Sequence, residues 1–274
     1  MTLWQPGTNI WVPPARDLFP GREGAIGYCA APVARRRSIG GGGAAALGYD
    51  ATVLAESSLV HYWKMQEAAG ATSIADSKGS LTGTVNGGIT FGAGGMFGNG
   101  VAPTFNGSTG YISFSSVWGT DAQWTYEAWV DITAFHASLV SGILQNGAFD
   151  GSTGGFSRVL ISGTSSPGAL NYAGNAISGV NGGSMSGSTD YHVAYTFNGT
   201  NVTGYLNAAV TAGPSARTPN TPGKSVAFIG VLSAFNDVVA NTGTCLTGKI
   251  CRVAYYNAAL SGAQISAHYA ARAS

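Results

Sequence analysis

Trp124-Thr-Tyr-Glu-Ala-Trp-Val-Asp-Ile132 is the stretch that decides the fold. Its even positions, Trp124, Tyr126, Ala128, Val130 and Ile132, are all apolar, the period of two expected of a strand with one buried face. Thr125, Glu127, Trp129 and Asp131 point the other way. The pattern returns in Tyr191–Phe197, where Tyr191, Val193, Tyr195 and Phe197 are expected to face inward and His192 and Thr196 outward. Asn198-Gly199 then supplies the positive φ angles of a hairpin turn, with Val202–Leu206 as the returning strand. Further on, Cys251, Val253 and Tyr255 alternate with Ile250, Arg252 and Ala254. One helix is predicted, at the C-terminus. Ser261 and Gln264 have the spacing of a capping box, Leu260 and Ile265 can staple it, and Ile265 and Tyr269 share a face. Its expected role is to lock the last strand against the sheet.

Composition agrees with an all-β chain. With 42 glycines in 274 residues, 45% hydrophobic and only 9% charged residues, the chain suits short strands joined by tight turns. Its length is enough for one large sandwich core. A formal net charge of +1 provides no field for a dedicated nucleic-acid binder. Apolar runs fall short of the roughly 18 residues of a membrane-spanning helix, so no membrane insertion is expected. Cys29, Cys245 and Cys251 form neither a disulfide framework nor a zinc spacing, and free thiols are expected.

Residues 1–53 differ from the remainder. They carry Pro6, Pro13, Pro14, Pro20 and Pro32, the basic run Arg35-Arg36-Arg37 and the run Gly40–Gly43 followed by Ala44–Ala46. Repeated prolines forbid a long helix and favour an extended path. Trp4, Trp11, Leu18 and Phe19 are apolar anchors without strand or helix period. The expected organisation is an extended anchoring arm with a Gly/Ala hinge over 1–53 and a globular domain over 54–274. Export is not expected: the first basic residue is Arg16, and the twin arginines sit unusually far in before a short apolar stretch.

Five stretches, taken in order, resemble the laminin-G-like, concanavalin-A-like jelly roll of phage virion and bacterial surface proteins. They are Leu59-Val-His-Tyr-Trp-Lys-Met65, Phe105-Asn-Gly-Ser-Thr-Gly-Tyr-Ile-Ser-Phe114, Thr125-Tyr-Glu-Ala-Trp-Val130, Tyr191–Asn207 and Gly248–Ser261. The resemblance implies a two-sheet antiparallel sandwich with a short C-terminal helix. It also raises two questions of chemistry, glycoside hydrolysis and calcium.

For hydrolysis, Glu127 and Asp131 are the best carboxylate pair. Four residues at about 3.3 Å each put their backbones roughly 13 Å apart, whereas hydrolysis needs carboxyl groups about 5 to 9.5 Å apart. The glucanase-type Glu-x-Asp-x-x-Glu strand is absent, as is a Gly-x-Ser-x-Gly elbow. No enzymatic activity is expected, and His192 is expected to make a structural hydrogen bond. For calcium, Asp76, Asp121 and Asp237 are the candidate acidic ligands, with Asn106 and Asp150 as further oxygen donors. Asn106 and Cys251 stand where the family carries acids, so no resident cofactor is expected. For glycans, Trp129 beside Glu127, Trp118, and Tyr172 beside Asn171 and Asn175 are the candidate contacts. The segments Phe149–Phe156 and Asn171–Gly187 are expected to be exposed loops.

The function expected from these features is that of a non-enzymatic accessory structural protein of a tailed-phage virion, made in the host cytoplasm. The arm would fasten it to other virion proteins and to copies of itself, and the jelly roll would face outward to meet host glycans. The alternative is a bacterial cell-surface or secreted adhesin or carbohydrate-binding module.

Overall fold

The computed structural model describes residues 48–96, 101–119, 122–135, 140–148, 155–174, 177–217, 224–233 and 240–273. Trp4, Trp11, Leu18, Phe19, Cys29, Asp121, Asp150, Asn175 and Asp237 lie outside the described residues. The chain divides into two compact units, with the second running from Ala45 to Ser274.

The second unit opens with helix α1 (Tyr49–Leu54), followed by β1 (Leu59–Trp63), β2 (Ser73–Ile74), β3 (Gly83–Asn86), β4 (Ile89–Thr90), β5 (Thr104–Asn106) and β6 (Tyr111–Phe114). Next come the long strands β7 (Trp124–Ala134) and β8 (Val140–Ala148), then β9 (Ser157–Ser162), β10 (Gly168–Gly174) and β11 (Ile177–Met185). The chain continues through β12 (Asp190–Phe197), β13 (Asn201–Leu206), β14 (Ala209–Ala216), β15 (Lys224–Ile229), β16 (Leu232–Ser233) and β17 (Ala240–Asn241). It ends with β18 (Thr247–Tyr256) and helix α2 (Gly262–Ala270).

Two antiparallel eight-stranded sheets form the sandwich. Sheet A runs β14-β13-β12-β7-β18-β5-β4, with β1 also paired to β18, and sheet B runs β11-β10-β9-β8-β15-β6-β3-β2. Consecutive strands swap sheets repeatedly, as the jelly roll requires. A two-stranded ribbon, β16-β17, lies apart from both. It crosses over β8 so closely that a Cβ on Gly142 would stand 2.4 Å from the carbonyl carbon of Val231, a position only glycine can fill.

The inner face forms where the alternation put it. Trp124, Tyr126, Ala128, Val130 and Ile132 are all buried with Tyr172, Val159, Ile161, Leu170 and Ile229 from sheet B. An aromatic file of Trp63, Phe114, Trp118 and Tyr126 fills one part, with ring centroids 4.6–5.8 Å apart. The opposite face of β7 is buried as well, because α1 and α2 cover it: Tyr49 meets Trp129 edge-on at 5.8 Å and Tyr269 lies parallel to it at 5.9 Å. Tyr49 and Val53 are therefore core residues, and the domain boundary expected at residue 54 moves upstream of α1.

Two register features depart from simple alternation. Arg252 takes a left-handed φ of 50°, and the pairing of β18 with β7 shifts between Cys251 and Ala254. This bulge flips the parity of the strand. Val253 and Tyr255 face the core as expected, opposite Trp63 and Tyr126, but Cys251 pairs with Trp129 on the helix-covered face. Cys245 and Cys251 are free and buried. The second departure is that Asn171–Gly187, expected as a loop, forms most of the β10-β11 hairpin. Gly179 and Gly183 carry φ of 88° and 99°, and the register shifts between Ala169 and Asn171 and again between Tyr172 and Gly174. These irregularities and the scarcity of large side chains hide the strand period.

The C-terminal helix is capped as predicted. Ser261 Oγ accepts from Gln264 N, Gln264 Oε1 accepts from Ser261 N, and Leu260 and Ile265 are buried. Ser261→Ala should lower the unfolding free energy by about 1 kcal/mol, as for other lost N-caps. Urea denaturation followed by far-UV circular dichroism measures it; an unchanged midpoint would mean that the cap does not anchor α2.

Candidate functional site

Glu127 lies at the centre of β7 and is wholly buried. A carboxylate there must be supplied with donors or remain protonated. Its Oε1 accepts from Tyr49 Oη of α1 at 2.6 Å and from His192 Nε2 of β12 at 2.7 Å. Its Oε2 accepts from Tyr256 Oη of β18 and His268 Nδ1 of α2, both at 2.9 Å. Cross-strand register explains two of these partners, since His192 is a strand neighbour of Trp129 and Ala254 faces Glu127 directly. The helices bring the other two. His268 Nε2 continues outward to Glu56 Oε1 at 3.3 Å.

The electrostatics follow from these bonds. Burial works to raise the Glu127 pKa, but the charge and hydrogen bond of His192 and then those of His268 overcome it and hold the carboxyl well below its ordinary value of 4.5. Burial opposes a charge on His268, yet bonding to Glu127, reinforced by Glu56, raises its pKa above 6.5. Burial and the neighbouring carboxylate both push the Tyr49 hydroxyl up, so it stays a donor. An ionised carboxylate only accepts, which fixes His192 as donor through Nε2. Beside this group, Asp50 of α1 accepts from Tyr62 Oη at 2.7 Å and Arg252 Nε at 2.9 Å. The bulge at Arg252 thus ties the start of the domain to its last strand.

The arrangement clamps two helices to a sheet, and its central carboxylate, Glu127, does not reach solvent. The expected structural hydrogen bond of His192 is present. Glu127, His268, Tyr49 and Tyr256 as one cluster were not foreseen. The available signal was the polar-face triplet Thr125, Glu127, Trp129 opposite a helix whose Ile265 and Tyr269 needed a surface to cover. Asp131 lies away from the cluster, with Asp190 as its strand partner on β12 and Lys249 on β18. Burial, then the Asp190 charge, raises its pKa.

Three of the residues expected to contact glycans are in the wrong place for it. Trp118, Trp129 and Tyr172 are 2%, 1% and 0% exposed, so a sugar arriving from solvent cannot stack on them. Trp118 and Tyr172 serve the inner core and Trp129 lies beneath α1 and α2. Asn171 is half-buried and donates to Ser162 Oγ at 2.8 Å and Ala169 O at 2.9 Å. Asp76 does not offer oxygens to a cation. They accept from the backbone N–H groups of Tyr62, Lys78, Gly79 and Leu81 and bond His61 Nδ1 at 2.6 Å. Burial would raise its pKa, but the His61 bond and those backbone donors bring it down to about 2. Asn106 Oδ1 likewise accepts from the N–H groups of Ser108, Thr109 and Gly110, closing the turn before β6. Among the described residues no group of three or more His, Cys, Asp or Glu side chains could hold a metal ion.

Among the described residues, the outer face of sheet B at β9 and β10 is only partly covered. On β9 and β10, Val159, Ile161, Leu170 and Tyr172 are turned inward, leaving Arg158, Leu160, Ser162, Ala169, Asn171 and Ala173 half-buried on the outside. Next to them the ribbon covers a second apolar cluster of Val226, Phe228, Val231 and Cys245. Gln145 fastens the ribbon, accepting from Ser233 N and donating to Ser233 Oγ, both at 2.7 Å.

The clamp sets the pH response. The stabilisation from the lowered Glu127 pKa is present above about pH 4.5 and is lost as pH falls towards the folded value. That from the raised His268 pKa is complete below about pH 6.5 and is lost as pH rises through the folded value. Stability should therefore peak between these limits, and His268→Asn should flatten the alkaline limb. Glu127→Ala, which strands two histidines and two hydroxyls, should cost about 3–5 kcal/mol. Urea midpoints from pH 3 to 9 test both; an alkaline limb that persists in His268→Asn would rule out the assignment.

Residues 106–266 match the family described as the concanavalin A-like lectin/glucanases superfamily. No curated protein sequence matches the chain. Among solved structures, domain 4 of AbnA, a GH43 extracellular arabinanase from Geobacillus stearothermophilus in complex with arabinotriose, is 16% identical with a TM-score of 0.57, covering 76% of this chain and 96% of that one. Trypanosoma rangeli sialidase in complex with sialic acid is 17% identical with a TM-score of 0.59, covering 79% of this chain. The match spans 33% of the sialidase chain, about a third of its length. A structure titled for the dependence of botulinum neurotoxin type C cell entry on two ganglioside molecules is 12% identical with a TM-score of 0.56, covering 81% and 53% of the two chains. At such identities the likeness is one of fold, and together with the family match it shows that this chain belongs to the concanavalin A-like lectin/glucanase superfamily.

Proposed function

We propose that the protein is a non-enzymatic attachment and display module that binds glycans. Its setting is a virion of the tailed-phage type, where it is an accessory structural protein fastened through its N-terminal segment. The observation that carries the non-enzymatic reading is the sealing of Glu127: the carboxylate at the centre of β7 is spent on four protein donors with no room for substrate. Hydrolysis requires two carboxyl groups reaching one bond; Glu127 is closed off from this, and the carboxylate beside Asp131 is its cross-strand partner Asp190. The glycan reading draws on the superfamily and on the saccharides in the titles of two fold neighbours. The virion setting draws on Trp4, Trp11, Leu18 and Phe19 in a proline-rich segment that has no strand or helix period of its own. A cell-surface adhesin or carbohydrate-binding module is the second reading, favoured by the likeness to a domain of an extracellular arabinanase.

Two measurements test the proposal. Deleting residues 1–44, upstream of the compact unit that begins at Ala45, should leave a folded sandwich that no longer joins particles; a truncated protein that still assembles would refute the anchoring role. On a panel of polysaccharides the full chain should release no reducing sugar. Turnover that drops more than tenfold in Asp131→Asn would restore a hydrolase.

A further inference from the structure

We propose that Arg158, on the outer face of sheet B, is the recognition residue of a site for a carboxylate-bearing saccharide. The inference rests on the attachment reading and names the ligand class of that face.

Arg158 stands between Gln145 of β8 and Ala173 of β10. Its guanidinium lies 4.2 Å from the centroid of the Phe156 ring, and Nη2 donates to Ser233 Oγ at 3.1 Å. The head group is thereby held on one face by an aromatic ring and on one edge by the ribbon. Among the described residues, the groups it is seen to touch, Phe156 and Ser233, are neutral. Nε is buried and has no hydrogen-bond partner among the described residues, and none of the ion pairs among them involves Arg158. Gln145 cannot help, since its amide is fully engaged with Ser233 and Gly147.

A partly buried cation without a counter-charge is costly, and burial alone pushes the Arg158 pKa down to about 10. Arg252 shows the usual solution within this fold, with Asp50 Oδ1 2.9 Å from its Nε. At Arg158 no described residue supplies an anion, and because Nε is buried while the residue as a whole is partly exposed, an anion from solvent would meet the terminal nitrogens of the guanidinium. A planar carboxylate fits a guanidinium fork in two parallel hydrogen bonds. Ala173, opposite Arg158 on β10, adds only a methyl to this face, on which Asn171 and Ser162 are already bonded to each other.

The probe is methyl α-D-galacturonide, with methyl α-D-galactoside as its neutral counterpart, titrated calorimetrically into the full chain. The galacturonide is expected to bind at least tenfold more tightly. Arg158→Gln should abolish that preference with the fold intact by circular dichroism, and Arg158→Lys, which keeps the charge but not the fork, should retain only part of it. Equal affinity for the two sugars, a preference that survives Arg158→Gln, or no galacturonide binding would each overturn the site. So would binding that emerges only in Asp150→Asn or Asp237→Asn, because the chain would then supply its own carboxylate. Inorganic phosphate competing as strongly as the galacturonide would reduce the site to a general anion site and overturn the saccharide assignment. Neutral host glycans bound while the galacturonide is not would sink the site but leave the attachment reading. Galacturonide binding with a blank host-glycan array would support the site and remove that reading.

Discussion

A single buried carboxylate organises the covered side of this sandwich. Isolated at the centre of β7, Glu127 would favour unfolding by several kcal/mol. Surrounded by Tyr49, His192, Tyr256 and His268 it becomes a point at which α1, α2, β7, β12 and β18 must all be in place together. Apolar packing is tolerant of small shifts, whereas hydrogen bonds to a desolvated charge are not. The cluster therefore gives α2, a helix of only nine residues, one defined seat on the sheet. Trp129 and Tyr269 supply the area, and Glu127 supplies the position.

The clamp divides the molecule into unlike faces. The exterior of sheet A is occupied by helices, so its central residues are as buried as those of the core. The exterior of sheet B keeps a partly open strip on β9 and β10 beside a ribbon that closes over β15. Among the described residues the strip on β9 and β10 is thus less covered than the centre of sheet A.

Much of the fold was legible because it rests on local alternation. The inner face of β7, the inward set of β12 and the capping box at Ser261 follow from side-chain period and capping chemistry, and each is present; the turn after β12 is there too, but with a positive φ at Gly199 alone and the Asn198 side chain accepting from Thr200 and Asn201 N–H. What could not be read were features decided by distant parts of the chain. Trp129 could be read as buried or as a surface contact, but what covers it could not be read: two helices from opposite ends of the domain lie over that face. Cys251 changed sides because Arg252 adopts a left-handed conformation, which an arginine in a strand pattern does not announce. Asn171 and Tyr172 read as loop because the hairpin around them is built from glycine, serine and asparagine, whose strand character comes only from pairing with β9. Arg158 drew no attention at all. An arginine on an alternating strand is ordinary until its described neighbours prove to be a ring, a hydroxyl and an amide.

The place of β18 in sheet A has a consequence for biosynthesis. This strand is nearly the last element of the chain, yet it lies between β7 on one side and β5 and β1 on the other. Until it emerges from the ribosome, the two halves of sheet A cannot meet, and the helix that seats on Glu127 does not yet exist. A nascent or prematurely terminated chain would carry the unpaired edge of β7, with its aromatic and aliphatic side chains open to other chains. Sheet A therefore closes only once β18 is in place, and a domain without it would keep the edge of β7 unpaired.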